Sequence, residues 1–260
     1  MADAKASTSI CAYDAAHIYV RGEDLCGDLV GKTSLTEFLC LLILGHRPTE
    51  AQARIVEAAI VTMAEHGMTP SSIAARLTLM GAPESLQGAV AAGLLGVGDQ
   101  FVGTVEKIAP LLVEMVDQQG DMAVTADAIV ARFRSVKMPI PGFGQPHHKP
   151  DDPRSPALFA IAQHVGVEGR YIQAIKLLGE AVDKAAGRHF TINAPGAVAA
   201  VFLEIGLPVR IMRGFVIISR CIGLVAHLGE EQINPAGRAL WDAASHAVAC
   251  PPSGPNRPSS

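Results

Sequence analysis

Aromatic residues make up only 5% of the 260-residue chain, with a single tryptophan. Its apolar half is therefore mostly Ala, Val, Leu and Ile, so any core must be dense in small and branched side chains. A charge excess of one sign is missing too. The 21 basic and 25 acidic residues leave a net charge of −4, with no general attraction for nucleic acid or an anionic membrane. Long uncharged apolar runs are absent as well. The stretches 38–45 and 194–203 fall well short of the roughly 20 residues that span a bilayer, so no membrane segment is expected. The opening MADAKASTSI has no basic start followed by an apolar run, which argues against a secretion signal. The five cysteines, Cys11, Cys26, Cys40, Cys221 and Cys250, are odd in number and lack paired metal-ligand spacing. They read as reduced thiols of a cytoplasmic protein. What the chain does have is length and apolar content enough for one large domain or two small ones.

Helical periodicity dominates what is present. It predicts helices over 36–44, from Glu50 through Met63, and over 70–80, 85–95, 101–118, 125–135, 157–165, 171–186, 196–203, 209–228 and 238–249. Thr33, Ser34 or Thr36 can cap the first, Gly45 suits its end, and Thr49 can cap the second. Strand-like alternation is confined to short pieces near 16–20 and 189–193. Abundant Ala and Gly let helix axes approach closely. Segment 139–156 carries prolines at 139, 141, 146, 150, 153 and 156; no helix runs through it, and it is expected as a surface or cleft loop. The Pro/Ser-rich end, 251–260, reads as a disordered tail.

Three segments depart from a generic helical pattern. The first is Glu65-His66-Gly67-Met68-Thr69-Pro70, a histidine at a helix end before a glycine turn. The second is the glycine-rich junction 93–103, containing Gly98-Asp99-Gln100-Phe101. The third runs from Pro139 through Pro141-Gly142-Phe143-Gly144-Gln145-Pro146-His147-His148 to Asp152-Pro153-Arg154. With Ser219-Arg220 and Gly223-Leu224-Val225-Ala226-His227, they stand in an order that resembles the citrate synthase superfamily, most closely its short citryl-CoA lyase-like branch. Members of that family read D-H-G-M-N at the first site, P-G-[FY]-G-H-P…D-P-R at the third and S-R…G-x-x-A-H at the last. The resemblance spans roughly residues 18–245, without much of the N-terminal helical region of full-length citrate synthases.

The resemblance implies an all-α fold, with a large domain (1–102 and 200–250) and a small domain (103–199) around an acyl-CoA cleft, as a homodimer. It implies coenzyme A as thioester substrate or product, together with a carboxylic or 2-oxo acid. No metal, nucleic acid or membrane partner is expected. His66 matches the histidine that contacts the condensing acid. Arg154 and Arg220 match arginines that pair with substrate carboxylates, for which a planar guanidinium is suited. Pro141, Gly142, Phe143 and Gly144 match a loop whose backbone contacts CoA.

Three positions depart from citrate synthases themselves. Phe101 stands where they place the thioester-polarising histidine, a change shared with the G-D-x-F pattern of the lyase branch. Gln145 replaces the histidine after G-F-G, and Pro195 occupies the position of the catalytic aspartate. Glutamine donates a hydrogen bond but transfers no proton near neutral pH; proline does neither. Asp99 and one of His147 or His148 are therefore candidate proton carriers. His147 is also a candidate substrate contact, while a metal set of His147, His148, Asp151 and Asp152 has no familiar ligand spacing. The resemblance, with these departures, implies carbon–carbon bond cleavage or formation in a carboxylated acyl-CoA, with little ordinary citrate synthase activity. The alternative is a non-catalytic CoA- or organic-acid-binding protein of the same fold.

Overall fold

The computed structural model describes residues 6–118 and 120–249; the expected tail and Cys250 lie outside them. A small antiparallel sheet, β1 (Cys11–Tyr13), β2 (Ile18–Val20) and β3 (Glu23–Asp24), is followed by one π-turn at Leu25–Leu29. Among the described residues eleven helices follow: α1 (Leu35–Leu44), α2 (Glu50–Ala64), α3 (Pro70–Gly81), α4 (Leu86–Leu95), α5 (Thr104–Asp117) and α6 (Met122–Ser135). The remainder are α7 (Arg154–His164), α8 (Arg170–Ala186), α9 (Ala194–Glu204), α10 (Val209–Ile233) and α11 (Gly237–Ala247). The fold is all-α in character, as expected.

Local chemistry sets the helix ends. Ser34 and Glu37 form a reciprocal capping box at the start of α1, and Gly45 closes it in the left-handed conformation. Of the strand-like pieces, 16–20 supplies β2, whereas 189–193 forms only a bridge, Phe143 opposite Ile192. The proline-rich segment ends earlier than expected, at Pro153. Pro156 lies in the first turn of α7, where its missing N–H is not needed.

The chain packs as two compact units, residues 6–63 with 102–216 and residues 64–101 with 217–249. This differs from the division at 102 and 199. In the first unit α9 is central: it packs on α5, α7 and α8, and every residue from Gly196 to Leu203 is buried. A boundary at 199 would cut that helix in half. Farther along, Gln52 Nε2 donates to Ile205 O at 3.0 Å, which ties α2 to the end of α9. In the second unit α3 packs on α4 and α11, and Ala75, Leu79 and Ala89 meet Leu224 and Leu228 of α10.

By length and composition α10 could cross a membrane, although 44% of its most apolar window is buried in the protein. Its buried face includes Ser219, Arg220 and Glu231 as well as Phe215 and Leu224, the pattern of a core helix with polar partners.

Small residues set the closest approaches. At Gly223 a Cβ would lie 2.0 Å from Ala64 O and 3.0 Å from a Glu65 carboxylate oxygen. At Gly93 it would fall 2.8 Å from Leu224 and 2.9 Å from Ser71 O. Backbone atoms cannot give way as side-chain tips can, so Gly223→Ala should destabilise the fold by about 1–3 kcal/mol. Exposed Gly229 of α10 has nothing within 4 Å of such a Cβ, and Gly229→Ala should be neutral or slightly stabilising. Urea unfolding of both variants checks this.

Candidate functional site

The loop from Pro139 to Pro153 is laid against the start of α9. Gly142, at φ +90°, is buried, and its carbonyl accepts from Asn193 N at 3.0 Å. The Gly144 amide donates to Thr191 O at 2.8 Å, so it is turned to the protein and not to a ligand. Asn193 Nδ2 closes the link by donating to Gly144 O at 3.2 Å. A Cβ on Gly196 would stand 2.8 Å from Gly142 O; loop and helix meet backbone to backbone there. Pro141 and Phe143 are partly exposed beside them.

Beyond Gly144 the loop is held by its own side chains. Gln145 Oε1 accepts the His147 amide and, at 3.1 Å, the His148 amide, forming a turn that leaves the His147 ring on the exposed side. Asp152 is fully buried. Its carboxylate accepts Arg154 Nε at 2.9 Å, Arg154 Nη2 at 2.7 Å and Ala194 N at 3.3 Å, while its amide donates to Thr191 Oγ1 at 2.8 Å. Burial would raise this carboxyl, but Arg154 and nearby His148 outweigh burial and hold it below the ordinary carboxylate value. The paired edge of Arg154 expected to grip a substrate carboxylate therefore grips Asp152, leaving the Nη1 end. Pro195 is in the first turn of α9, where proline's missing N–H costs nothing.

Asp151 takes a different partner. His189 sits between two carboxylates, Nδ1 at 2.6 Å from Asp183 Oδ2 and Nε2 at 3.0 Å from Asp151 Oδ1, which fits a doubly protonated ring. Asp183, then Asp151, raise its pKa above the ordinary histidine value. With Asp151 on His189 and Asp152 on Arg154, the four-residue metal set is not assembled. Among the described residues no group of three His, Cys, Asp or Glu side chains is placed to hold a metal.

The second unit holds the other candidates. His66 lies in the turn between α2 and α3, half-buried, before Gly67 at φ +73°. Thr69 caps α3 by accepting from Ser72 N, and Ser72 Oγ donates to Gly67 O at 2.8 Å. Asp99 is exposed in the 98–101 turn. Phe101 ends the turn, its amide donating to Gly98 O at 3.2 Å, and the residue is 56% exposed. Arg220 is buried in α10 beside Ser219. The structure thus groups Gln145, His147, Arg154 and the 141–144 loop in one unit, and His66, Asp99 and Arg220 in the other.

Arg76, for which no role was read from the sequence, is 1% exposed. It pairs with Glu231 Oε2 at 2.7 Å and with Glu230, and donates to His227 Nδ1 from Nε at 3.1 Å and Nη2 at 2.9 Å. Glu231 also accepts Ala236 N and Gly237 N at the start of α11. Burial would raise the Glu231 carboxyl; those amides and Arg76 instead lower it. A readable signal was present, an arginine within an apolar helix and a His-x-x-Glu-Glu run on another.

Against known proteins, the family model described as "Citrate synthase, C-terminal domain" matches residues 4–240. Among solved structures, the chain is similar to citryl-CoA lyase from Hydrogenobacter thermophilus, with 33% identity, a TM-score of 0.84 and 96% of each chain covered. An ATP citrate lyase from Methanosaeta concilii, solved with (3S)-citryl-CoA, shares the fold at 19% identity and a TM-score of 0.81, over 98% of this chain and 43% of that one. Citrate synthase from Deinococcus radiodurans is 28% identical over 214 residues, 78% of this chain and 53% of that protein. The chain spans about half the length of the curated citrate synthases it matches.

Two outcomes follow from the loop geometry. Asp152→Ala should destabilise the protein by about 3 kcal/mol, the scale of breaking a buried ion pair, measured by urea unfolding. Because the His189 pKa is raised on folding, its contribution is present below the unfolded value of about 6.5 and is lost as pH rises through the folded value. The stability gap between wild type and His189→Gln should therefore be larger at pH 6 than at pH 9, and equal gaps would refute the doubly paired ring.

Proposed function

The chain belongs to the citrate synthase family, and on that premise we propose that it is an acyl-CoA carbon–carbon lyase whose substrates are citryl-CoA-type thioesters. The observation that carries this reading is the end-to-end likeness to a citryl-CoA lyase, 33% identical over 96% of both chains. Cleavage takes a proton from the tertiary hydroxyl, turns that carbon into a ketone and passes the bond's electron pair to the thioester as an enolate. Protonation of the enolate then gives the shorter acyl-CoA and a 2-oxo acid; the reverse steps form the bond.

The retained residues suit those demands. His66 is the candidate partner of the reacting oxygen. Arg220 is the candidate holder of a substrate carboxylate, with the Nη1 end of Arg154 as a second donor. Gln145 supplies a donor without proton transfer, and Asp99 is the candidate proton carrier. The family premise, not the separate geometry of the two units, supports their working together with the 141–144 loop on one acyl-CoA. We also propose a homodimer; exposed Leu95, Ile222 and Val225 are apolar surface such an assembly could cover.

A second reading, binding of CoA or an organic acid without turnover, is favoured by Pro195 and by the engagement of Arg154 with Asp152. Mixing the purified protein with citryl-CoA should release acetyl-CoA and oxaloacetate, detected by mass spectrometry, and His66→Asn should lower kcat by about 10²-fold. A raised Tm without product supports the second reading; neither change refutes both. Citrate formation from acetyl-CoA and oxaloacetate should be weak, since Phe101, Gln145 and Pro195 stand at the proton-handling positions. Normal citrate synthase turnover would refute that assignment.

A further inference from the structure

The turn that carries His66 is fastened from both sides to one face of α10, and the fastening is specific. Glu65 and Gly67 flank His66, and the Glu65 carboxylate joins them: Oε1 accepts the Gly67 amide at 2.5 Å. The same carboxylate meets His227 Nε2 at 3.0 Å. One helical turn earlier on α10, Gly223 lets the helix backbone rest against Ala64 O, the carbonyl that closes α2. Gly223 and His227 thus seat residues 64–67 at two points spaced i, i+4, on one face of the helix.

The ring state of His227 follows from its partners. Nδ1 faces two N–H donors of Arg76, and a guanidinium accepts no hydrogen bond. Nδ1 must therefore present its lone pair, which puts the hydrogen on Nε2, aimed at Glu65. Arg76 is itself fixed by Glu231 and Glu230, so the ring is clamped from behind. From Glu231 through Arg76 and His227 to Glu65, each group orients the next, and the series ends at the residues on either side of His66.

We infer that His227 is a positioning residue, acting through Glu65 to hold the His66 turn in its working geometry. This rests on His66 belonging to the reacting site. A misplacement of about 1 Å in such a group can cost roughly 10²-fold in rate, so releasing the turn should lower turnover far more than it lowers binding.

The test compares His227→Leu, which removes both contacts, with His227→Gln, whose amide offers an acceptor for Arg76 and a donor for Glu65. With citryl-CoA as substrate, His227→Leu should lose tenfold or more in kcat with KM within threefold, while His227→Gln keeps kcat within about threefold. Hydrogen–deuterium exchange of residues 65–69 should speed up in the Leu variant and stay near wild type in the Gln variant. The inference is overturned if folded His227→Leu keeps wild-type kcat, if the two variants lose kcat equally, or if exchange in the turn does not change. Should His227→Leu fail to fold, Glu65→Ala gives the same comparison against Glu65→Gln. If His66→Asn keeps full turnover, or the wild type has none, the functional reading fails instead, and the exchange comparison still decides whether His227 holds the turn.

Discussion

The burial of α9 is the constraint on which the first unit depends. Its run Gly196–Leu203 has no exposed face, because α5, α7 and α8 all lie on it. A helix apolar on every side must be enclosed, and the alanines and glycine of this one keep its girth small enough for three neighbours to close in. Its N-terminus is then a fixed floor within the unit. Gly142, Asp152 and Asn193 dock onto that floor through backbone contacts and one buried carboxylate, so the course of the proline-rich loop is decided by helix packing. Past Gly144 the loop adds its own Gln145 turn and the Asp152–Arg154 pair.

Carboxylates do comparable work at both candidate regions. Asp152 gathers an arginine and a helix-terminal amide; Glu65 gathers a histidine and a turn amide. In each case an acid with several donors around it fixes the backbone beside a residue of functional interest. A single hydrogen bond in water is worth little net, but Asp152, removed from water, must keep its donors or pay its full desolvation cost. Glu65, in contrast, is an exposed acid that acts through its two contacts alone. Asp152 therefore holds its neighbours strictly, which is what a preorganised site requires.

The legible part of this protein was its rhythm and its motifs. The apolar period marked every helix from α1 to α11 to within about five residues; most have one face, or in α9 all faces, turned inward, while α11 buries little beyond Gly237. The boundaries were less readable at 101–104 and 153–156, where proline and glycine allow more than one start. Of the small β elements, β2 registered as alternation near 16–20, whereas β1 and β3 carry too few residues to register. The packing division could not be read either, since the membership of 6–63 and 194–216 is decided by contacts far apart in sequence. Arg154 shows the limit of reading roles from residue type: a guanidinium suits a substrate carboxylate, yet the nearest carboxylate proves to be Asp152, two residues away. Arg76 and His227 were visible as letters, but only folding places two acids and an imidazole around one arginine.

Glu231 serves two masters: it neutralises Arg76 of α3 and accepts the first amides of α11. The beginning of α11 therefore cannot fray without exposing a charge buried under α3, and α3 cannot lift without uncapping α11. Segments that would otherwise open independently share one acceptor. In the language of native-state fluctuation, α3, the end of α10 and α11 form one cooperative unit, opening together or staying closed.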